Sequence, residues 1–194
     1  MTANKLKLAL LGEGGVGKTT LAKTFKEGKF CESSMTIAVE FHVKRTTIDG
    51  QPVVLQIWDL GGQEQFKNMG LFPTYLKGTN GVAACFDVTD LETLDVLPSW
   101  IDMLPSTTPM ILVGLKADLL DGPFDMEEVR PLMESYPFMD FYLSSAKDAT
   151  MVNHVFGKLA GFALEVLRKQ LPLRQNNEGA MRPKIPVQMS SSHH

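Results

Sequence analysis

Short apolar runs alternate along this chain with segments whose apolar residues recur every three to four positions. The runs are nearly continuous, as in strands that are buried on both faces of a sheet. They predict strands at residues 6–11, 81–88, 109–115 and 141–144. The periodic segments predict helices at residues 18–27, at 91–104 with Asp90 as the N-cap, at 124–136, and along the apolar face from Val152 to Val166.

Two further runs predict a pair of antiparallel strands. Residues 36–48 and 53–58 are rich in β-branched and aromatic side chains, and Asp49-Gly50 lies between them. Asp-Gly between two such runs is a strong hairpin signal. Strands that alternate with helices favour a parallel sheet with helices on both faces. The pattern therefore predicts an α/β fold with a mostly parallel six-stranded sheet and one antiparallel edge strand.

The regular pattern stops before the end of the chain. Residues 172–194 are polar, lack periodicity and contain Pro172, Pro183 and Pro186. We expect one domain at residues 1–171 and a flexible tail at residues 172–194. Within the domain, residues 63–76 are polar and methionine-rich and predict a loop with a short helix.

Composition and charge exclude several classes of function. The 194 residues include 19 basic and 22 acidic side chains, and the net charge of −3 offers no attraction to nucleic acid. No apolar run approaches the roughly 18 residues that suggest a membrane-spanning helix. Cys31 and Cys85 suggest no disulfide framework, and the four histidines show no metal-binding spacing. We expect a soluble, cytoplasmic protein.

The segment directly after the first predicted strand has the form G-x-x-x-x-G-K-T, from Gly12 to Thr19. Its glycines allow backbone N–H groups to point at one anion, and the helix that follows adds unpaired N-terminal donors. Lys18 is placed to reach the β- and γ-phosphates of a nucleotide, and the Thr19 hydroxyl to hold Mg²⁺. An ordinary glycine-rich turn is the alternative, but the strand–turn–helix context favours a phosphate-binding loop.

Polar residues near the ends of other strands extend this site, because ligands of parallel α/β sheets bind beyond the carboxyl ends of the strands. Asp59 can hold Mg²⁺ directly or through water, although an aspartate at a strand end also caps turns. Gly61-Gly62 permits close approach of a backbone N–H to a γ-phosphate, and Gln63 can orient a water for in-line attack. The Thr36 hydroxyl can complete the Mg²⁺ shell, or Thr36 is simply a β-branched residue that starts a strand.

Two tripeptides after later strands are candidates for base recognition. Lys116-Ala117-Asp118 ends in a carboxylate, which can accept from two N–H groups on one purine edge. Guanine offers such a pair of donors and adenine does not. Ser145-Ala146-Lys147 follows the last predicted strand and can close the other side of the base.

Together, these motifs resemble those of the small GTPases of the Ras superfamily. The motifs are G-E-G-G-V-G-K-T (12–19), Thr36 in T-I-A-V-E-F, D-L-G-G-Q-E (59–64), L-K-A-D (115–118) and S-S-A-K (144–147). They occur in the family's order and spacing over about residues 5–170. T-I-A-V-E-F, L-Q-I-W-D and residues 86–90 are most similar to the Rab branch.

The resemblance implies a P-loop GTPase domain that binds GTP or GDP together with Mg²⁺. Residues 31–39 and 60–76 then correspond to the two switch segments, and Phe30 packs edge-on against guanine. The implied catalytic residues are Gln63, Lys18 and Gly62, and the implied magnesium ligands are Thr19, Thr36 and Asp59. The implied nucleotide-binding residues are Gly14, Gly15, Val16, Gly17, Lys18, Thr19, Thr20, Phe30, Thr36, Gly62, Lys116, Asp118, Ser145, Ala146 and Lys147.

The resemblance also implies protein partners for a monomer: an exchange factor, a GTPase-activating protein and effectors. Phe41, Trp58 and Tyr75 occupy the places of the aromatic triad through which Rab-type switches meet effectors. Alternatively, Phe41 and Trp58 are simply cross-strand packing partners. No lipid anchor is visible, because no cysteine lies near the C-terminus. Either the protein works without a lipid and meets membranes only through partners, or its C-terminus has been cut.

This sequence departs from the family pattern at Leu115, where the family usually carries Asn or Thr. That polar side chain helps to hold the base and ties the base loop to the phosphate loop. Its loss forfeits hydrogen bonds worth about 1–3 kcal/mol, or roughly 5- to 150-fold in nucleotide affinity. We expect weaker nucleotide binding and faster nucleotide release, with the preference for guanine kept by Asp118.

The sequence departs from the family pattern in two further ways. Gly61 replaces the usual alanine, and the switch lengths differ from those of Rab proteins. The identity of the effector therefore does not carry over.

The function that follows is a molecular switch that binds GTP and slowly hydrolyses it to GDP, in trafficking-type regulation. Two alternatives remain: a scaffold locked with GDP, and a P-loop ATPase or small-molecule kinase. The presence of Thr36 and Gln63 argues against the scaffold. The chain also lacks the arginine-rich lid that a kinase needs.

Replacement of Gln63 by leucine tests the assigned hydrolytic step. Leucine neither donates nor accepts a hydrogen bond, so it cannot orient the attacking water. We expect Gln63→Leu to hydrolyse bound GTP more slowly than the parent, with and without an activating partner that supplies arginine. Single-turnover phosphate release measures the rate, and equal rates in the two proteins would remove Gln63 from the mechanism.

Overall fold

Strands and helices alternate along the chain, as the apolar pattern predicts. The computed structural model describes residues 3–33, 36, 39–62, 70 and 72–178. The strands are β1 (Asn4–Leu11), β2 (Val39–Ile48), β3 (Gln51–Leu60), β4 (Gly81–Asp87), β5 (Met110–Leu115) and β6 (Phe138–Leu143). The helices are α1 (Lys18–Glu27), α2 (Phe72–Leu76), α3 (Glu92–Asp95), α4 (Pro98–Ile101), α5 (Arg130–Ser135) and α6 (Ala149–Glu178), with a 3₁₀ turn at Ala117–Leu119.

The strands form a six-stranded sheet in the order β2-β3-β1-β4-β5-β6. β2 is antiparallel to β3, and the other neighbouring pairs are parallel. Asp49 and Gly50 connect β2 to β3 with positive φ angles of 49° and 74°, as a two-residue hairpin turn requires. The predicted mostly parallel six-stranded sheet with one antiparallel edge strand is therefore confirmed.

Helices cover both faces of the sheet because its central strands are apolar on both sides. Leu8 and Leu10 of β1 belong to the core that includes α1 and α6. Ala9 and Leu11, which alternate with them along the strand, belong to a second core with α3 and α4 on the opposite face. The predicted α/β arrangement is confirmed, and the helices leave the carboxyl ends of the central strands open to a ligand.

The prediction of one helix at residues 91–104 is wrong, because the segment forms the two short helices α3 and α4. Pro98 is the first residue of α4, where its missing N–H costs no helical hydrogen bond. The predicted N-cap at Asp90 is also wrong, since Leu91 takes that position and no side chain caps α3. Asp90 instead contributes its backbone carbonyl, which accepts from Thr93 Oγ1.

The helix predicted at residues 124–136 is much shorter in the structure, where α5 spans Arg130–Ser135. Asp125 Oδ1 accepts from the backbone N–H of Glu127 over 2.9 Å, and this local bond favours turns over helix at the start of the segment. The strand predicted at residues 141–144 begins three residues earlier, at Phe138.

The last helix extends beyond the domain boundary predicted at residue 171. α6 reaches Glu178 and passes Pro172, whose missing N–H removes one helical hydrogen bond without ending the helix. The rest of the predicted tail, residues 179–194, lies outside the described residues. Over the described part of the chain, neither α6 nor any shorter helix combines the length and apolarity needed to cross a membrane.

Phe156 tests whether the contact between α1 and α6 stabilises the domain. Its buried ring stacks on Phe25 with the ring centroids 4.1 Å apart. Because Phe156→Ala leaves a cavity, we expect the free energy of unfolding to fall by about 3–5 kcal/mol in urea titrations followed by circular dichroism. Met126→Ala is the control, since this side chain is 52% exposed and should change stability by less than about 0.5 kcal/mol. If Phe156→Ala lowers the free energy of unfolding by less than about 0.5 kcal/mol, the contact between α1 and α6 does not stabilise the domain as assigned.

Candidate functional site

The residues predicted to bind a nucleotide lie together at the carboxyl ends of the strands. They line two neighbouring cavities of about 180 and 200 Å³, which share Gly17 and Thr20. We call the first cavity the phosphate end, and its predicted residues are Gly14, Gly15, Gly17, Lys18, Thr19, Thr20, Thr36 and Gly62. We call the second the base end, and its predicted residues are Val16, Gly17, Thr20, Phe30, Lys116, Asp118, Ser145, Ala146 and Lys147.

Lys18 lies buried at the phosphate end, in the first turn of α1. Its Nζ atom donates to the backbone carbonyl oxygens of Gly12 and Glu13 over 2.8 and 2.7 Å. Burial lowers the pKa of Lys18, and the charge of Asp59 opposes that effect. Because the desolvated ammonium group is bonded to neutral carbonyls, an anion in the cavity would stabilise its charge. The arrangement fits a phosphate group.

The N-terminus of α1 opens into the same cavity. Gly17 is the N-cap residue, in a left-handed conformation with φ 109°, and no side chain caps the helix. The first N–H groups of this ten-residue helix are therefore available to an anion, and the helix dipole favours negative charge at that point.

Three oxygen ligands converge beside the phosphate end. Thr19 Oγ1 donates to Asp59 Oδ2 over 2.5 Å, and Thr36 Oγ1 donates to the same oxygen over 3.2 Å. The two hydroxyl oxygens also lie within hydrogen-bonding distance of each other, and because each hydroxyl carries one proton, the two threonines donate only two of these three bonds at a time. Hydroxyl and carboxylate oxygens are the hard ligands that Mg²⁺ prefers, so the three side chains fit a magnesium site.

The carboxyl group of Asp59 is completely buried near the end of β3. Burial raises the pKa of Asp59, whereas the Thr19 hydroxyl, the Lys18 charge and the Thr36 hydroxyl each act to lower it. A divalent cation beside the carboxylate would favour its ionised form and offset part of the effect of burial. The chemistry of Asp59 is therefore consistent with a ligand to a cation.

Gly62, which the sequence predicts to be catalytic, packs directly against the phosphate loop. Its carbonyl oxygen accepts from the Gly14 N–H over 3.1 Å. A Cβ atom on Gly62 would lie 2.2–2.4 Å from backbone atoms of Gly12, Glu13 and Gly14. No larger residue fits without moving the loop, so this contact fixes the segment after β3 to the phosphate end.

Asp118 is held as a carboxylate at the base end. Lys147 Nζ lies 2.8 Å from Asp118 Oδ2, and Ser145 Oγ donates to Asp118 Oδ1 over 2.6 Å. Lys147 and then Ser145 lower the pKa of Asp118. An ionised carboxylate keeps further lone pairs on both oxygens and can accept from two N–H donors, the pattern that guanine presents.

The wall of the base end is apolar at Leu115, where the resemblance implies a polar side chain. Leu115 is buried, and its Cδ1 atom lies 3.8 Å from the position that a Cβ atom would take on Gly17.

Lys116 follows in a left-handed conformation with φ 62°, and its Nζ atom lies 2.5 Å from Asp87 Oδ2. Burial acts to raise the pKa of Asp87, but hydrogen bonds from Lys116 and Thr89 lower it overall. Leu115 thus meets the phosphate loop through packing, and the base loop is held to β4 by an ion pair.

Some predicted residues of the site lie outside the described part of the chain. Gln63 is among them, so its role in orienting water stays a prediction. Of the predicted first switch, the structure describes residues 31–33, 36 and 39, and of the second it describes residues 60–62, 70 and 72–76.

Phe41, Trp58 and Tyr75 form one aromatic cluster. Phe41 meets Trp58 edge-on with the ring centroids 4.5 Å apart, and the Trp58 and Tyr75 centroids are 6.4 Å apart. Phe41 and Trp58 are opposed residues of β2 and β3, so they are cross-strand packing partners. Phe41 is also 58% exposed, which leaves its ring open to a partner, and the effector role stays a prediction.

Sequence reasoning missed two polar residues near the cavities. Ser33 lines the phosphate end, and its hydroxyl is hydrogen-bonded to that of Thr20 over 2.7 Å. Asp87 holds Lys116 through the ion pair described above. Its position at the carboxyl end of β4 is the signal that could have found it, because polar residues at that edge of the sheet face the ligand.

A further missed group lies where β2 faces Asp59. Glu40 is directly opposite Asp59 in the β2–β3 register, and His42 follows two residues later on the same face. His42 Nε2 lies 3.5 Å from Glu40 Oε2, and burial lowers the pKa of His42. The spacing of histidines along the chain does not indicate this group, because the pairing of β2 with β3 brings its residues together.

Comparisons with known proteins show which family this sequence is similar to. The sequence model of the Ras family matches residues 7–164. The chain is 32% identical to Ras-related protein Rab-12 of Mus musculus, over 94% of this chain and 80% of the relative. It is 33% identical to Ras-related protein RABD2a of Arabidopsis thaliana, over 84% of this chain and 82% of the relative. It is 34% identical to GTP-binding protein YPT1 of Saccharomyces cerevisiae, over 84% of this chain and 81% of the relative.

Leu115→Asn supplies the polar side chain that the base end lacks at this position. The amide would lie between the base loop and the phosphate loop, so we expect nucleotide release to slow by roughly 5- to 150-fold. Displacement of a fluorescent GDP analogue by excess GDP measures the dissociation rate. Leu115→Ala is the matched control, because it removes the same side chain without adding a polar group and should not slow release. Unchanged or faster release from Leu115→Asn would contradict the effect assigned to Leu115.

Proposed function

We propose that this chain, which belongs to the Ras family and is a Rab-like small GTPase, switches between a GTP-bound and a GDP-bound form. In the GTP-bound form, the γ-phosphate holds Thr36 and Gly62 in place. Hydrolysis removes that anchor, and the segments around these two residues relax. The two forms bind different partner proteins, in trafficking-type regulation.

The hydrogen-bonding contacts of Thr36 with Thr19 and Asp59 support the proposal most directly. Thr36 precedes β2, in the segment assigned to the first switch, whereas Thr19 and Asp59 belong to α1 and β3. All three side chains share one hydrogen-bonded cluster that fits Mg²⁺. A loop residue and two elements of the rigid core therefore contribute to one cation site, and the bound phosphate can control the loop through it.

Residues at the phosphate end have distinct roles in hydrolysis under this proposal. Lys18 exchanges its two carbonyl acceptors for phosphate oxygens and stabilises the charge that develops during phosphoryl transfer. The N–H of Gly62 donates to the γ-phosphate, and Gln63 orients the attacking water. Thr19, Thr36 and Asp59 would hold Mg²⁺, which would supply positive charge beside the phosphate oxygens.

Hydrolysis is slow without a partner in this proposal. No arginine of the described ranges lines either cavity, and Arg130 pairs with Glu127 at the surface. A partner that inserts an arginine can accelerate phosphoryl transfer by about 10³–10⁵-fold. We therefore expect a GTPase-activating protein, together with an exchange factor that releases GDP and effectors that bind the GTP form.

Guanine is the proposed base because Asp118 offers acceptors to two adjacent donors. Ser145 and Lys147 orient its carboxylate, and each oxygen keeps a lone pair for the base. Adenine would place the acceptor atom N1 against this negative charge. The base end thus favours a GTPase over the alternative P-loop ATPase.

We propose that the protein is cytoplasmic and reaches membranes through its partners. The Rab and Ypt names of its relatives support a role in trafficking. The exposed ring of Phe41, packed on Trp58, supports a protein-binding surface next to the switches, because aromatic side chains are enriched among the residues that dominate binding energy.

Asp118→Asn tests the recognition of the base. The amide keeps one acceptor but turns the other oxygen into a donor, which would face the exocyclic amino group of guanine. Xanthine has a carbonyl oxygen at that position and can accept from the amide. We expect GDP affinity to fall by about 10- to 100-fold and xanthosine diphosphate to bind more tightly than GDP. Displacement titrations against a fluorescent GDP analogue measure both affinities.

Lys147→Gln is the matched control, because it breaks the same ion pair but keeps the carboxylate. It should still prefer GDP to xanthosine diphosphate. In the parent, ADP should compete far more weakly than GDP, and equal competition would contradict the proposal. Bound GTP that yields no phosphate over many hours would also contradict it and favour a GDP-locked scaffold.

A further inference from the structure

Glu40, His42 and Asp59 bring three potential metal ligands close together. One imidazole nitrogen and two carboxylate oxygens, one from each residue, lie within 4.8 Å of one another. The strand pairing produces this group, because Glu40 is opposite Asp59 and His42 is two residues further along the same face of β2. The two threonines of the proposed magnesium site bind a single oxygen of Asp59, Oδ2. The other oxygen, Oδ1, is free for a second role.

Two of the three side chains are deeply buried and carry an unpartnered polar atom. His42 is 8% exposed and Asp59 is fully buried. Within the described ranges, no hydrogen bond is made by His42 Nε2, Glu40 Oε2 or Asp59 Oδ1. Buried polar atoms in native proteins nearly always have a partner, and a group of three without one points to a missing ion or ligand. A metal ion would satisfy all three atoms at once.

Ion pairs account for only part of this arrangement. Lys23 Nζ lies 3.4 Å from Glu40 Oε2, and a protonated His42 would pair with the same oxygen over 3.5 Å. Neither contact satisfies Asp59 Oδ1. Lys23 and Lys26 also repel a cation near His42, but both are partly exposed and can turn into solvent.

The distance between the His42 and Glu40 ligand atoms fits a tetrahedral ion of the zinc class, and the Asp59 oxygen lies within 4.8 Å of both. Zn²⁺ binds histidine nitrogen at about 2.0–2.1 Å and carboxylate oxygen at about 2.0–2.2 Å, which separates two tetrahedral ligands by about 3.4 Å. His42 Nε2 and Glu40 Oε2 are 3.5 Å apart. An imidazole ligand favours zinc-class ions over Mg²⁺ and Ca²⁺, which take oxygen ligands. The three protein ligands leave a fourth position for water.

We propose that Glu40, His42 and Asp59 form a second divalent-metal site, for Zn²⁺ or a chemically similar ion, which is coupled to the magnesium site through the shared carboxylate of Asp59. Zinc on Oδ1 weakens the attraction of the carboxylate for a second cation on Oδ2, and the two cations repel each other. Zinc binding therefore weakens nucleotide binding that depends on Mg²⁺, and the effect is reciprocal. The coupling rests on the proposed function, whereas zinc binding itself does not.

Calorimetric titration with ZnCl₂ tests the site in the full chain, with and without GDP. The parent for this experiment carries Cys31→Ser, His193→Ala and His194→Ala, because these three side chains can bind zinc by themselves. We expect one zinc ion per chain, with X-ray absorption showing one imidazole nitrogen and oxygen ligands at about 2.0 Å. His42→Gln and Glu40→Gln should each weaken zinc binding at least about tenfold. His154→Gln, which alters a histidine of α6 away from this group, should not.

Several outcomes would overturn the assignment. If zinc does not bind in a one-to-one ratio, the site does not exist. If zinc binds but neither His42→Gln nor Glu40→Gln weakens binding, the metal is adventitious only. Circular dichroism separates loss of a ligand from loss of the fold in each variant. If either variant unfolds, Glu40→Asp, which shortens the ligand but keeps the carboxylate, replaces it and should weaken zinc binding without abolishing it.

The coupling has its own readout in the release of a fluorescent GDP analogue at fixed Mg²⁺. We expect zinc to accelerate release by about 5- to 150-fold in the parent and to have little effect in His42→Gln. Tight zinc binding without any effect on release would overturn the coupling but not the site. A chain that binds zinc through His42 but ignores guanosine nucleotides would overturn the proposed function alone, and a chain that binds GDP but not zinc would overturn this inference alone.

Discussion

The buried ammonium group of Lys18 is the physical constraint on which the rest of the site depends. A charge that is removed from water is costly unless polar groups or an opposite charge surround it. Two carbonyls of the phosphate loop meet the Nζ atom, and Asp59 acts on it through space. These interactions leave the charge only partly compensated, and the phosphates of a nucleotide would complete the compensation. The phosphate end therefore reaches its most stable state with its ligand bound.

The sheet order explains why distant segments of the chain meet at Lys18. β1 lies between β3 and β4, and Leu10 of β1 is the register partner of Asp59. This pairing places the Asp59 carboxylate beside the start of α1, and three residues later the backbone of Gly62 is hydrogen-bonded to the phosphate loop. The rigid part of the site is thus a direct product of parallel pairing. Thr36 joins it from outside the helices and strands, so one ligand of the proposed magnesium site does not come from the sheet or α1.

The features that were predictable from the sequence are those whose cause is local in the chain. The phosphate loop and α1 follow from one continuous motif, and α1 spans the predicted residues 18–27 because Gly28 ends it in a left-handed conformation. The predictions of single helices at residues 91–104 and 124–136 were wrong, and the reasons are local as well. A proline and a side-chain hydrogen bond of Asp125 compete with helix there, and apolar periodicity does not register either effect.

The unpredicted features depend on strand pairing. Asp87 and Lys116 belong to neighbouring strand ends, and Glu40 meets Asp59 only through an antiparallel register. A shift of that register by one residue would send Glu40 to the opposite face. Spacing along the chain contains no information on such contacts, and they appear only once the order of the strands is known.

Lys7 joins the aromatic cluster of Phe41, Trp58 and Tyr75 to the strand that carries Asp59. Its Nζ atom lies 3.5 Å from the centroid of a Trp58 ring and donates to the backbone carbonyls of Tyr75 and Lys77. The cation thereby ties the end of α2 to β3, in which Trp58 directly precedes Asp59. Gly62, four residues after Trp58, is fixed to the phosphate loop by its backbone hydrogen bond to Gly14. Trp58, on which the exposed ring of Phe41 packs, therefore lies on a strand whose end is held at the phosphate loop.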